Sequence, residues 1–141
     1  MRIALLIVLI LVGWFLWKNM TIPSTTGLID GKLQPCPQSP NCVSCQNTDP
    51  RHAIAPLPLV PGKSLDFIAQ FLEENYLAEV VTKTSVYMHV VVTTDLCRFK
   101  DDLEFFVDDE KKEICVRSAS RVGYGDGGIN RARIEKLREA L

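Results

Sequence analysis

The chain opens on an unbroken apolar run. Ile3 to Trp17 is 15 consecutive residues without a charge, preceded by Arg2 and closed by Lys18. As a helix the run spans about 23 Å at ~1.5 Å per residue, a little short of the ~30 Å hydrocarbon core of a bilayer. Snorkelling by Arg2 and Lys18, with Trp14 and Trp17 at the interface, makes up the difference. The run ends in the bulky Gly13-Trp14-Phe15-Leu16-Trp17, whereas signal cleavage needs small residues. No cysteine follows directly to carry a lipid. The pattern predicts an uncleaved membrane anchor over residues 1–20, with a cleaved signal or a buried helix as the alternatives. Arg2 and the amino terminus precede the run and Lys18 follows it, which puts the rest of the chain outside the cytoplasm, in the periplasm.

From Thr21 to Gly62 no period is visible. All 8 prolines fall between Pro23 and Pro61, and proline fixes φ and removes a donor, so neither a long helix nor a central strand fits. Residues 21–33 read as a linker and 34–141 as a globular domain. Ile54 to Leu59 is apolar but broken by Pro56 and Pro58, which suits extended chain or an edge strand.

Periodicity returns after Lys63. Ser64 can cap a helix that places Leu65, Ile68 and Leu72 on one face, with Asn75 as its stop. Glu79 to Lys83 is a short strand candidate. Val86 to Thr94 is rich in β-branched residues and reads as a strand covered on both faces. Two alternating runs follow, around Leu103, Phe105 and Val107 and around Ile114, Val116 and Ser118, joined by a polar turn at Asp109 to Lys112. Asn130 can cap a last helix with the stripe Ile134, Leu137 and Leu141. Helix, about four antiparallel strands, helix is an α+β fold.

The 141 residues make one domain. With Lys+Arg 16 against Asp+Glu 17, bulk charge gives no case for nucleic acid. Charge is unevenly placed, however. Arg117 to Leu141 holds 6 basic and 3 acidic residues, whereas Asp95 to Glu113 holds 8 acidic and 4 basic.

Candidate chemistry begins with the cysteines. In an oxidising compartment Cys36–Cys42 is the expected bridge. Cys42-Val43-Ser44-Cys45 is also a C-x-x-C, which with Cys36 and His52 gives a zinc-type ligand set, or a redox pair, as rival readings. Cys97 and Cys115 read as core or near-core thiols. Gly123-Tyr124-Gly125-Asp126-Gly127-Gly128 matches G-x-G-x-x-G between a strand and a helix. Too little chain follows for a dinucleotide fold, so the cluster reads as a tight turn with positive φ. No metal or cofactor is assigned.

The arginines are more telling. Arg117 and Arg121 share a strand face, and Arg131 and Arg133 sit at the start of the last helix, against the preference of its dipole. Something anionic should compensate. Asp101, Asp102 and Glu104 on the neighbouring strand are the internal candidates, and a bound anion is the external one. His52 and His89 stand alone, and His89, in mid-strand, reads as packed.

Three blocks carry a resemblance. Cys36-Pro37-Gln38-Ser39-Pro40-Asn41-Cys42-Val43-Ser44, then Asp101-Asp102-Leu103-Glu104-Phe105, then Arg117-Ser118-Ala119-Ser120-Arg121-Val122-Gly123 resemble, in that order, the domain-of-unknown-function family numbered 1499. Asp126, Gly128, Asn130, Arg131, Arg133 and Ile134 resemble its closing block. The resemblance implies bacterial relatives with an N-terminal membrane segment, and others in plastids, and implies no activity. Where the family usually has Ser, this chain has Cys45, which weakens the metal reading. Its glycines at 125 and 127 are usually other residues, which weakens the nucleotide reading.

The resulting expectation is a membrane-anchored binding or assembly module. It recognises an anionic ligand or protein partner through Arg117, Arg121, Asn130, Arg131 and Arg133, supported by Asp101, Asp102 and Glu104. The rivals are an enzyme using those three carboxylates as acid/base groups and a thiol redox or metal module at Cys36, Cys42 and Cys45.

Overall fold

The computed structural model describes residues 2–141. Met1 and the Arg2 side chain, on which the orientation reading partly leans, lie outside the described residues. Helix α1 (Arg2–Met20) is apolar around nearly its whole circumference and exposed along its length. By length and composition it can cross a membrane, a test that a signal sequence also passes. A helix apolar all round needs lipid or protein around it, and among the described residues α1 meets the rest of the chain only near its C-terminal end, from Phe15 onward.

Two short strands, β1 (Leu28–Ile29) and β2 (Lys32–Leu33), form a small hairpin. The main sheet contains β3 (Cys42–Ser44), β4 (Leu57–Pro58), β5 (Leu77–Lys83), β6 (Tyr87–Thr93), β7 (Lys100–Asp108) and β8 (Glu113–Ser120). All pairings are antiparallel, in the order β3-β8-β7-β6-β5, and β4 shares the outer edge of β8 with β3. The chain is therefore α+β, with the four long strands where the alternation placed them. The proline-broken Ile54–Leu59 segment supplies only the two-residue edge strand β4, as its missing donors require.

One face of the sheet carries Met88, Val90, Val92, Leu103, Phe105, Ile114 and Val116, all buried. Helices α2 (Leu65–Asn75) and α3 (Ile129–Ala140) cover it with Leu65, Ile68, Leu72, Ile134 and Leu137. Ser64 caps α2 by accepting from the Asp66 amide, and the helix stops at Asn75.

The cap of α3 differs from expectation. Gly128, in the left-handed conformation at φ 82°, occupies the cap position, and Asn130 is already inside the helix. Asp126 takes the capping role, its carboxylate accepting from the Gly128 and Asn130 amides at 3.0 and 2.9 Å. Burial works against that charge, yet these donors hold the Asp126 carboxyl below its ordinary range. An anion at the helix N-terminus also offsets the unfavourable placement of Arg131 and Arg133.

The second face of the sheet is covered too, by the segment after α1. The residues read as a spacer are packed down: the Gly27 amide donates to Glu104 at 2.6 Å.

Candidate functional site

A strand alternates its side chains, so one register step decides which face each charge meets. On β7, Asp102 and Glu104 point away from the helices, whereas Asp101, one step off, points toward them. On β8, Arg117 and Arg121 accompany Asp102 and Glu104, opposite the face of Ser118 and Ser120. Cross-strand pairing aligns Glu104 with Arg117 and Asp102 with Ala119, the latter leaving room for Arg121 to reach back.

Two linked ion pairs result. The Arg121 guanidinium grips Asp102 through Nε and Nη2, both at 2.8 Å. His89 Nε2 lies 2.7 Å from the same carboxylate. Arg117 Nη1 donates to Glu104 at 2.9 Å, and the Tyr87 hydroxyl donates to the other Glu104 oxygen at 2.8 Å. All of this is deep: Glu104 is 0%, Asp102 1% and Arg117 2% exposed. Burial pushes the Asp102 carboxyl up, but hydrogen bonds from Arg121 and His89 outweigh it and hold the group below its ordinary range. Burial, then the Glu104 charge, push the Tyr87 hydroxyl well up, so it stays a donor. Both Asp102 oxygens already accept from cations or the imidazole, an arrangement suited to positioning Arg121 rather than to shuttling protons.

Above this layer lies a cavity of about 780 Å³. Asp102, Arg117 and Arg121 form its floor, Trp17 and Lys18 one wall, and Pro37, Ser39 and Asn41 of the cysteine loop another. Arg117 Nε is buried and has no hydrogen-bond partner among the described residues. Arg133 Nε, on the helix-facing side of the sheet, is buried without a partner in the same way, so this feature does not by itself mark a ligand site.

The cysteines shape the cavity. Cys36 and Cys42 are bonded with Cα atoms 5.6 Å apart, as expected, and the bridge holds the loop over the sheet. Cys45 is bonded to Cys115. That pairing takes Cys45 out of the rival C-x-x-C reading, and Cys115, buried as expected, is also a cross-link. Cys97 is free and exposed, not near-core. It sits in the turn between β6 and β7, where the β-branched pattern has already ended. His52 Nδ1 lies 2.9 Å from the Cys42 carbonyl, so the imidazole braces the loop. Among the described residues no cluster of His, Cys, Asp and Glu has metal-site geometry.

The remaining candidates lie on the helix-facing side of the sheet. Arg133 pairs with Asp101 at 2.8 Å and packs over the Tyr76 ring. Asn130 donates to the Asn41 carbonyl and to Ser120 Oγ, and accepts from Ser118. These residues fasten α3 to the sheet. Arg131 is partly exposed and reaches only the Arg51 carbonyl. The five polar residues expected in one site therefore divide, two on the cavity floor and three in or beside the α3 contact. Asp101 likewise serves Arg133 and not the cavity. The two aspartates lie on β7, as expected.

Tyr87, His89 and Asn19 complete the polar face and were not singled out for it. The first two had a signal, since they alternate with Met88 and Val90 in an otherwise apolar strand. Asn19 had none.

Over residues 32–141 the chain matches the family model described as "Protein of unknown function (DUF1499)", and it belongs to that family. No curated protein matches it significantly, nor does any solved structure.

Proposed function

We propose that this is a single-pass membrane-anchored binding or assembly module, its domain in the periplasm, which recognises an anionic group of a ligand or protein partner in the cavity over Arg117 and Arg121. The observation that carries this reading is the cavity itself, lined by the Arg117 and Arg121 guanidinium side chains and by Lys18. Two guanidiniums face two carboxylates there, so the fixed charges balance. Lys18 on the wall adds a net positive charge. An anion held between Lys18 and the two guanidiniums offsets that charge.

Anchoring rather than cleavage is supported by Asn19. Its side chain is 6% exposed, donates to the Arg98 carbonyl and accepts from the Lys100 amide, each at 2.9 Å. Its carbonyl accepts from Arg121 Nη1 at 3.2 Å. A discarded signal would not be built into the ion-pair layer. Two disulfides suit an oxidising compartment.

Calorimetric titration of the detergent-solubilised full chain with inorganic phosphate and with glycerol phosphate tests the reading. Binding of at least one probe is expected, weakened several-fold by Lys18→Gln and by Arg117→Lys, which keeps the charge and loses Nε. Absence of heat with both probes, or binding indifferent to both substitutions, contradicts it.

A further inference from the structure

We infer that the turn between β6 and β7, residues 94–99, is a second membrane contact, seated in the lipid headgroup layer beside α1. This rests on the anchor reading and adds a surface to it.

Leu96 is 93% exposed, more than any other large apolar side chain of the domain. Singly exposed leucines are ordinary, but this one has a fixed place. Phe99, three residues on, stacks edge-on against Phe15 of α1 with ring centroids 5.7 Å apart. Phe15 lies within the apolar span, about 4–5 Å deeper than Lys18 at ~1.5 Å per residue. Asn19 clamps the backbone on either side of Phe99 through the Arg98 carbonyl and the Lys100 amide. The turn itself is closed by the Thr94 and Phe99 backbones and by Thr94 Oγ1. It is therefore a stiff loop held against the membrane end of the helix.

If α1 spans the bilayer, Phe99 lies at its boundary, and Leu96 and Cys97 face lipid. Arg98 in the turn and Lys100 just after it outnumber Asp95, a positive balance that complements an anionic lipid surface. Asp95 keeps the turn in the headgroup layer and out of the hydrocarbon. With α1 this gives two contacts, which fix the tilt of the sheet and hold the cavity, whose wall includes Trp17 and Lys18, at the membrane surface.

Cys97 is the one free thiol and lies at the tip of the turn, so it can be spin-labelled in the unmodified chain. The full chain is reconstituted into vesicles of phosphatidylethanolamine and phosphatidylglycerol. Collision rates with oxygen and with a water-soluble nickel chelate are then compared. A label at Asp109→Cys, in a Cys97→Ser background, is the aqueous reference, since the β7–β8 turn lies about 30 Å away along a nine-residue strand at ~3.3 Å per residue. The oxygen-to-nickel ratio at Cys97 should be several-fold higher than at 109, and Leu96→Asp should lower it. Equal ratios would overturn the inference while leaving the anchor intact. A label shielded from both relaxants would mean that protein, not lipid, covers the turn, and would overturn it equally. A chain that alkaline carbonate washes from the vesicles would remove the anchor reading, and this inference with it.

Discussion

Glu104 is fully buried and accepts from three donors: Arg117, the Tyr87 hydroxyl and the Gly27 amide. Its charge is tolerable only because each is in place. Buried pairs are weak evidence of net stability, but breaking one strands a charge, at about 3–5 kcal/mol. Glu104→Ala should lower the unfolding free energy by that order in urea, whereas replacing either side of the exposed pair Arg51–Asp49 should leave the urea midpoint nearly unchanged. Asp102 and Asp126 set the pH response. Both folded-state pKa values lie below the ordinary carboxylate value of about 4. The stability they confer is fully present above that value and is lost as pH falls through the lower, folded-state values. Thermal melts should therefore hold from neutrality down to about pH 5 and fall below about pH 4. Asp102→Asn should remove part of that acid limb at the cost of a lower plateau.

The elements depend on a few such contacts. Helix α3 begins on a glycine with no side chain to cap it, so the cap is delegated to Asp126. Asp126→Ala should cost about 0.5–2 kcal/mol and raise amide exchange in the first turn of α3. The two disulfides differ in reach, with sequence separations of 6 and 70 residues. In the chain-entropy account the short bridge contributes about 2 kcal/mol and the long one about 4 kcal/mol. Cys45→Ser should thus lower the melting temperature more than Cys36→Ser. The order is checked by scanning calorimetry of the two variants. Cys36→Ser should instead loosen the cavity wall and weaken anion binding.

Across the whole molecule, the period of two along β7 and β8 and the period of 3.6 along α2 and α3 made the α+β architecture legible, and the unbroken apolar run did the same for helix α1. The same alternation contained the split of the candidate site. Asp101 and Asp102 are neighbours in sequence and therefore on opposite faces, so both could not serve one cavity. What the chain alone did not disclose was the cover on the second face. Residues 21–33 have no period, and their packing depends on Gly27 meeting Glu104 across 77 positions. Asn19 meets Arg98 across 79. Contacts so distant leave no local pattern. The cysteine spacing pointed to Cys36–Cys42 but not to the partner of Cys45, because only the register of β3 against β8 brings Cys45 to Cys115.

The central claim is that an anchored, oxidised domain holds an anionic group over Arg117 and Arg121. Native mass spectrometry of the full chain from its own membranes, with parallel thiol alkylation, tests it most directly. The account predicts an intact N-terminus, a single alkylated thiol at Cys97, and a co-purifying anionic mass that Arg117→Lys removes. A chain cut after α1, further alkylated thiols, or no bound anion in the intact oxidised protein would contradict it.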